Sequence, residues 1–154
     1  MYQILGAKFD ETYTSLPIEK ALTLGTLAMG RDGKRYIFVL ASAAIAAGDC
    51  VAISSTFAAS GLTTANAATS VKIGVAQTAI ASGSYGWVQI YGACSLSVLA
   101  ACVGDAILYT SATTGALDDA SASQVKITGI NILATTTPAA VVSAFMSIEP
   151  FANR

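Results

Sequence analysis

The sequence predicts an all-β fold: a small β-barrel or β-tulip-like body preceded by an extended N-terminal arm. Three observations point there. From residue 36 onward, short β-branched or aromatic runs alternate with Gly, Asp, Ser and Thr clusters. Gly48, Gly61, Gly74, Gly83, Gly86 and Gly92 punctuate the chain too closely for long helices. A β unit also occurs twice, with its matching parts offset by 54 and 56 residues.

Residues 1–35 are the arm and the segment leading into the body. They hold nine of the 17 charged residues, whereas Tyr36 to Leu117 holds only Asp49, Lys72 and Asp105. Large side chains are scattered through the arm at neither a sustained helical nor a sustained strand period. Tyr2, Ile4, Phe9, Tyr13, Leu16 and Ile18 are candidate anchors for a segment that orders on contact with a neighbouring subunit. After the turn signal Arg31-Asp32-Gly33-Lys34, residues 36–154 form the body. Its candidate strands are Tyr36 to Ala41, Cys50 to Ser54, Val71 to Gln77, Trp87 to Tyr91, Ser95 to Leu99, Ala106 to Thr110, Val125 to Leu133 and Val141 to Ile148. Alanine favours helix, so 41–47 and 58–68 are places for a helical turn.

The repeat spans about 47–73 and 103–127. Ala47-Gly48-Asp49-Cys50-Val51-Ala52-Ile53-Ser54 aligns with Val103-Gly104-Asp105-Ala106-Ile107-Leu108-Tyr109-Thr110, and Val71-Lys72-Ile73 with Val125-Lys126-Ile127. Gly61-Leu62 and Gly115-Ala116 fit the same scheme, and Ile80 to Ser84 partly echoes Ile45 to Asp49. Glycine permits positive φ and aspartate can accept from nearby backbone, so Gly-Asp before an apolar run reads as a turn feeding a strand. Two copies suit a barrel or sandwich better than a solenoid.

Composition excludes several functions. The net charge is −1 and Lys and Arg are not massed, so no electrostatic field gathers nucleic acid. Every apolar run is too short to span a bilayer, and the first eight residues lack the basic-then-apolar pattern of a secretory signal, so synthesis in a cytoplasm is expected. The absence of histidine removes Ser-His and Cys-His nucleophile pairs and His-ligated zinc. Cys50, Cys94 and Cys102 are odd in number, without C-x-x-C spacing, and read as buried thiols; a Cys94–Cys102 disulfide is the alternative.

Three groups of residues invite a chemical reading. Asp49 and Asp105 could form a carboxylate pair, but their place in the turns accounts for both, and no nucleophile or oxyanion loop accompanies them. Asp118 and Asp119 offer oxygens without a D-x-D-x-D-G pattern, so a solvated loop is expected, with no metal or cofactor. On a strand, Tyr85, Trp87, Gln89 and Tyr91 share one face and Gly86, Val88, Ile90 and Gly92 the other. The aromatic row is either a subunit-contact strand or, on a tail or fibre module, a stacking platform for host-surface glycans. No enzyme is expected. A body so poor in charge needs other protein against its apolar surface, which predicts assembly.

Several segments carry a family resemblance: Asp32-Gly33-Lys34-Arg35-Tyr36, Ala44-Ile45-Ala46-Ala47-Gly48-Asp49, the run from Ile73 to Gly92, the run from Leu108 to Asp119, and Ile127-Thr128-Gly129-Ile130. Over about residues 30–148 the chain resembles the head decoration, or cement, proteins of tailed bacteriophages. That resemblance implies a virion protein on the capsid exterior, made in the host cytoplasm. It further implies a dimer or trimer that binds the major capsid protein at junctions between capsomers and stabilises the mature head. The family supplies no catalytic motif.

Overall fold

The computed structural model describes residues 7–20, 22–30, 32–122 and 124–153. The chain is almost entirely β, with a closed five-stranded barrel. Its strands are β1 Leu27–Met29, β2 Arg35–Ala41, β3 Cys50–Ile53, β4 Ala58–Gly61, β5 Lys72–Val75, β6 Tyr85–Val98, β7 Leu108–Thr110, β8 Leu117–Asp118, β9 Lys126–Ile132 and β10 Ala140–Asn153. A single helical turn, α1 (Thr64–Ala67), falls inside the alanine-rich stretch 58–68. Its capping box explains why: the Thr63 hydroxyl accepts from the Asn66 N–H, and the Asn66 side chain accepts from the Thr63 N–H. Residues 41–47 form no helix; Ile45 there bridges to Ile80 instead.

The barrel runs β2-β4-β3-β5-β6 and closes through the antiparallel β2–β6 pairing. Only β2–β4 is parallel. Ile37, Val39, Val51, Ile53, Ala59, Val88 and Ile90 fill its interior, one from every second position, as the period of a strand requires. Gly74 also faces inward, where an added Cβ would lie 2.5 Å from Val88 Cγ1 and 2.7 Å from the Gln89 carbonyl oxygen. The close approach of β5 to β6 therefore requires glycine at that position.

Pairings continue round a second ring, β6-β8-β7-β9-β10, with β10 returning antiparallel to β6 and β6–β8 parallel. Strand for strand this repeats the connectivity of the barrel, β6 serving both. Leu96, Val98, Leu108, Leu117, Ile127, Ile130, Ile132, Ala144 and Met146 form its core, which merges with Cys50, Ala52, Ile73 and Val75 on the outer faces of β3 and β5.

The two strand matches in the sequence repeat fall on equal cross-strand pairs. Ala52 lies opposite Ile73 and Ile53 opposite Lys72, while Leu108 lies opposite Ile127 and Tyr109 opposite Lys126. The glycine match does not follow. Gly61 ends β4 whereas Gly115 precedes β8, and the Gly115 N–H donates to the Leu62 carbonyl at 2.9 Å, so these two segments pack on each other. The partial echo likewise turns into a contact, with Ile45 and Ile80 exchanging backbone hydrogen bonds at 2.9 Å. In the first Gly-Asp turn Gly48 takes positive φ (90°), and Asp49 Oδ2 accepts from the Ala46 N–H at 2.8 Å. In the second turn the aspartate, Asp105, takes it (60°).

Two strands expected separately, Trp87 to Tyr91 and Ser95 to Leu99, are one strand, β6. Gly92, at φ 96°, bends it without ending it. The buried Gln89 side chain braces this bend by donating from Nε2 to the Tyr91 and Ala93 carbonyls at 3.0 and 2.8 Å. Bent in this way, one strand contributes to both rings.

Candidate functional site

At its centre the aromatic row of β6 does not face solvent, and Tyr85 and Tyr91 are half-buried. Trp87 is 2% exposed and lies with Leu22, Ala28, Tyr36 and Phe38 in a cluster on the outside of the barrel. The N-terminal segment covers that cluster. Phe9 stacks on Tyr36, ring centroids 3.9 Å apart, and meets Trp87 edge-on at 5.5 Å. Leu16 packs against the same cluster. Tyr13 pairs with Tyr85 through backbone hydrogen bonds of 2.8 and 2.7 Å. These side chains, expected to reach a neighbour, are spent on the chain's own barrel: they remove apolar surface of β2 and β6 from water at no intermolecular entropy cost. Ile18, in a 3-10 turn over Ile18–Lys20, is 78% exposed. Tyr2 and Ile4 lie outside the described residues.

A charged clasp holds the segment. The Tyr13 hydroxyl donates to Glu11 Oε2 at 2.6 Å, Lys20 donates to the same oxygen at 2.9 Å, and Lys8 reaches Glu11 Oε1 at 3.1 Å. Lys20 also sits over the Tyr13 ring, 4.9 Å from its centroid. These donors, the Tyr13 hydroxyl first, hold the Glu11 carboxyl down at about 2, and Glu11 in turn raises Lys20.

Tyr91, immediately before the Gly92 bend, belongs to a different environment. Arg35 lies over its ring at 4.4 Å, Phe145 of β10 meets its edge at 6.5 Å, and Glu149 pairs with both Arg35 (3.6 Å) and Lys72. Tyr85, Trp87 and Tyr91 thus share a strand but not a platform. With Trp87 under Phe9, a sugar has no continuous row on which to stack.

The carboxylates of Asp49, Asp118 and Asp119 are engaged in local structure. Asp49, which burial pushes upward in pKa, caps its own turn at Ala46. Asp105 donates its backbone N–H to the Ile132 carbonyl at 3.0 Å, at the mouth of the second ring. Cys102, Asp118 and Asp119 bring three potential ligand atoms within 4.8 Å of one another. However, Asp119 Oδ2 accepts from the Val103 N–H at 3.0 Å and Asp118 Oδ1 from the Asp119 N–H at 2.9 Å, so both carboxylates organise backbone. All three cysteines are free and buried. Burial pushes the Cys50 thiol well up, Cys94 to about 12 and Cys102 to about 11, which makes them poor nucleophiles.

The sequence reading did not single out the surface the molecule leaves open. Val103, Ile107, Leu133, Val141, Phe145 and Phe151 are exposed large apolar side chains, and all belong to the second ring or its connections. The sequence carries no signal for it: Val141-Val142-Ser143-Ala144-Phe145 is apolar at four of five positions, so nothing in the run says which face of the strand is covered. Among the described residues no helix is long and apolar enough to cross a membrane. No protein-family model and no curated protein matches the chain.

Proposed function

We propose that this chain is a structural subunit of a bacteriophage head, one that binds the outer surface of the major capsid shell and stabilises the mature particle. The observation that carries the reading is the concentration of exposed apolar side chains on a β body with very few charges. Among the described residues, six of the nine exposed large hydrophobic side chains lie on the second ring or its connections, where contact with other protein removes apolar surface from water. The shell-binding contact moves accordingly from the N-terminal segment to the loop end marked by Val103 and Ile107, both about half exposed. A subunit that binds the assembled lattice better than free shell protein stabilises the lattice by mass action, and repetition over the shell makes modest contacts sufficient.

The test is occupancy on purified phage heads. Full-length protein should bind at a fixed copy number and raise the temperature at which heads release DNA. Val103→Lys with Ile107→Lys should bind far less while keeping the same thermal unfolding as free protein. Equal occupancy of the variant, or no binding of the native chain to any head, removes the reading.

A further inference from the structure

The turn between β1 and β2 brings together groups that can react with one another. Of the six aspartates, only Asp32 is followed by glycine. The Asp32 side chain is 56% exposed, Gly33 is exposed at positive φ (78°), and a Cβ built on Gly33 would meet no atom within 4 Å. The pairing of β1 with β2 ends at Met29 opposite Arg35, and the Gly30 N–H donates to the Lys34 carbonyl at 2.8 Å, so Asp32 and Gly33 lie beyond the ladder. The Gly33 N–H donates to the Gly30 carbonyl at 3.2 Å, the long end of the range for such a bond, and a local opening of the turn releases it.

We propose that the Asp32–Gly33 linkage is a site of spontaneous isoaspartate formation, and that Lys34 is the residue that restrains it. The Gly33 backbone nitrogen attacks Asp32 Cγ. An N–Cγ bond forms, the Cγ–O bond breaks, and the hydroxyl of the protonated carboxyl leaves with the amide proton as water, giving a cyclic succinimide. Water then adds to either ring carbonyl. Opening at Cγ restores aspartate. Opening at the main-chain carbonyl leaves the chain running through Cβ and Cγ, with a free carboxylate on Cα. Water is the only other reagent. Glycine makes the step accessible because it puts no side chain beside the attacking nitrogen and lets the backbone rotate toward Cγ.

Lys34 opposes the attack. Its Nζ pairs with Asp32 Oδ2 at 2.9 Å, and its backbone N–H donates to Oδ1 at 3.4 Å. The ammonium holds the Asp32 carboxyl below its usual pKa, so less of it is in the protonated form that gives up hydroxyl. At every other aspartate the next residue carries a side chain, and at Asp49 the next N–H, of Cys50, is held by the Gly115 carbonyl at 2.7 Å. In the isoaspartyl form the carboxylate moves to Cα and the main chain gains one carbon, so both contacts to Lys34 change. Lys34 packs against the bend of β6, where a Cβ on Gly92 would lie 3.0 Å from Lys34 Cγ. The altered turn therefore acts on the strand that the two rings share.

The test keeps the folded full-length chain at 37 °C and pH 7.4 for several weeks. It is then digested with an endoprotease that cleaves before aspartate but not before isoaspartate, and the uncut fraction at each position is read by mass spectrometry. Isoaspartate should accumulate at position 32 ahead of the other five aspartates. Lys34→Met should speed it about twofold, whereas Lys34→Arg, which keeps the ion pair, should match the native rate. Gly33→Ala should slow it about fivefold even where strain at positive φ opens the turn, because the methyl group hinders the nitrogen in any conformation. No isoaspartate at position 32, equal amounts at the other aspartates, or a Lys34→Met rate no higher than native overturns the proposal. The chemistry does not depend on what the protein binds, so this reading and the head-subunit reading fail separately.

Discussion

Tyr13 and Tyr85 exchange both of their backbone hydrogen bonds in an antiparallel bridge, at 2.8 and 2.7 Å. On its other edge Tyr85 lies opposite Leu40 of β2, so the N-terminal segment takes an edge of β6 before β5 pairs with that strand at Gln89. The segment is thereby tied to the sheet by backbone, and its aromatic side chains land on the cluster of Tyr36, Phe38 and Trp87 outside the barrel.

The chain's only tryptophan reports on that contact. Deleting residues 1–20 should shift Trp87 emission to the red and lower thermal stability, because Trp87 and Tyr36 lose the cover that Phe9 provides. Phe9→Ala should do the same in smaller measure, and a double-mutant cycle with Tyr36→Ala should give a coupling of about 0.5–1.5 kcal/mol for the stacked pair. Unchanged emission in the deletion variant would mean that the segment does not cover the tryptophan in solution.

Acid should loosen the same segment late. Glu11 has its pKa lowered from 4.5 to about 2, so the stabilisation it contributes is fully present above the higher value and is lost as pH falls through the lower one. Trp87 emission should therefore hold its native position at pH 4 and move only toward pH 2. In Glu11→Gln the clasp loses its charge at every pH, and that late acid step should disappear. A native-protein transition centred near 4.5 would contradict the clasp.

Thiol reactivity gives an independent reading of the cores. Cys50 and Cys94 sit among buried apolar residues, and the Cys102 thiol is also enclosed. With thiols pushed up to about 12 and 11 at Cys94 and Cys102, and higher still at Cys50, alkylation at pH 8 should be slow for all three until denaturant is added. Mass spectrometry of the native protein after iodoacetamide treatment checks this, and rapid labelling of any one would show that its core opens locally.

How much of this was legible in the sequence follows from side-chain chemistry. β2, β3, β5 and β9 are visible because each is a short run carrying Val, Ile, Phe or Tyr between clusters of Gly, Asp, Ser and Thr. β4, Ala58-Ala59-Ser60-Gly61, carries no β-branched residue, and it is a strand because β2 and β3 flank it, so tertiary pairing overrides alanine's helical preference. β8 is two residues long and leaves no period to detect. β10 continues beyond Ile148 through Pro150, which falls in the register shift between Met146 and Phe151, where a ladder N–H is dispensable. For the site, alternation along β6 identified two packable faces but carried no information about what lies on them. That the N-terminal residues cover Trp87 and leave Phe145 open depends on where the chain folds back, and strand periodicity does not encode it.

Gly74 offers the sharpest test of the barrel itself. It lies opposite Val51 on β3, facing inward, and its φ is not in the left-handed region, so a side chain there is opposed by space alone. An added Cβ would stand 2.5 Å from Val88 Cγ1, 2.7 Å from the Gln89 carbonyl oxygen and 3.3 Å from Ile90 Cγ2. The valine can shift, but the carbonyl is backbone in β6, held in the pairing with β2, and relieving that contact means separating β5 from β6. Gly74→Ala should therefore destabilise by about 1–3 kcal/mol, the usual range for overpacking a filled core. Ser95→Ala, at an exposed position on β6, should stay within about 0.5 kcal/mol of the native chain. Urea unfolding followed by circular dichroism measures both, and a Gly74→Ala variant as stable as the native protein would mean that β5 does not lie against β6 in a closed barrel.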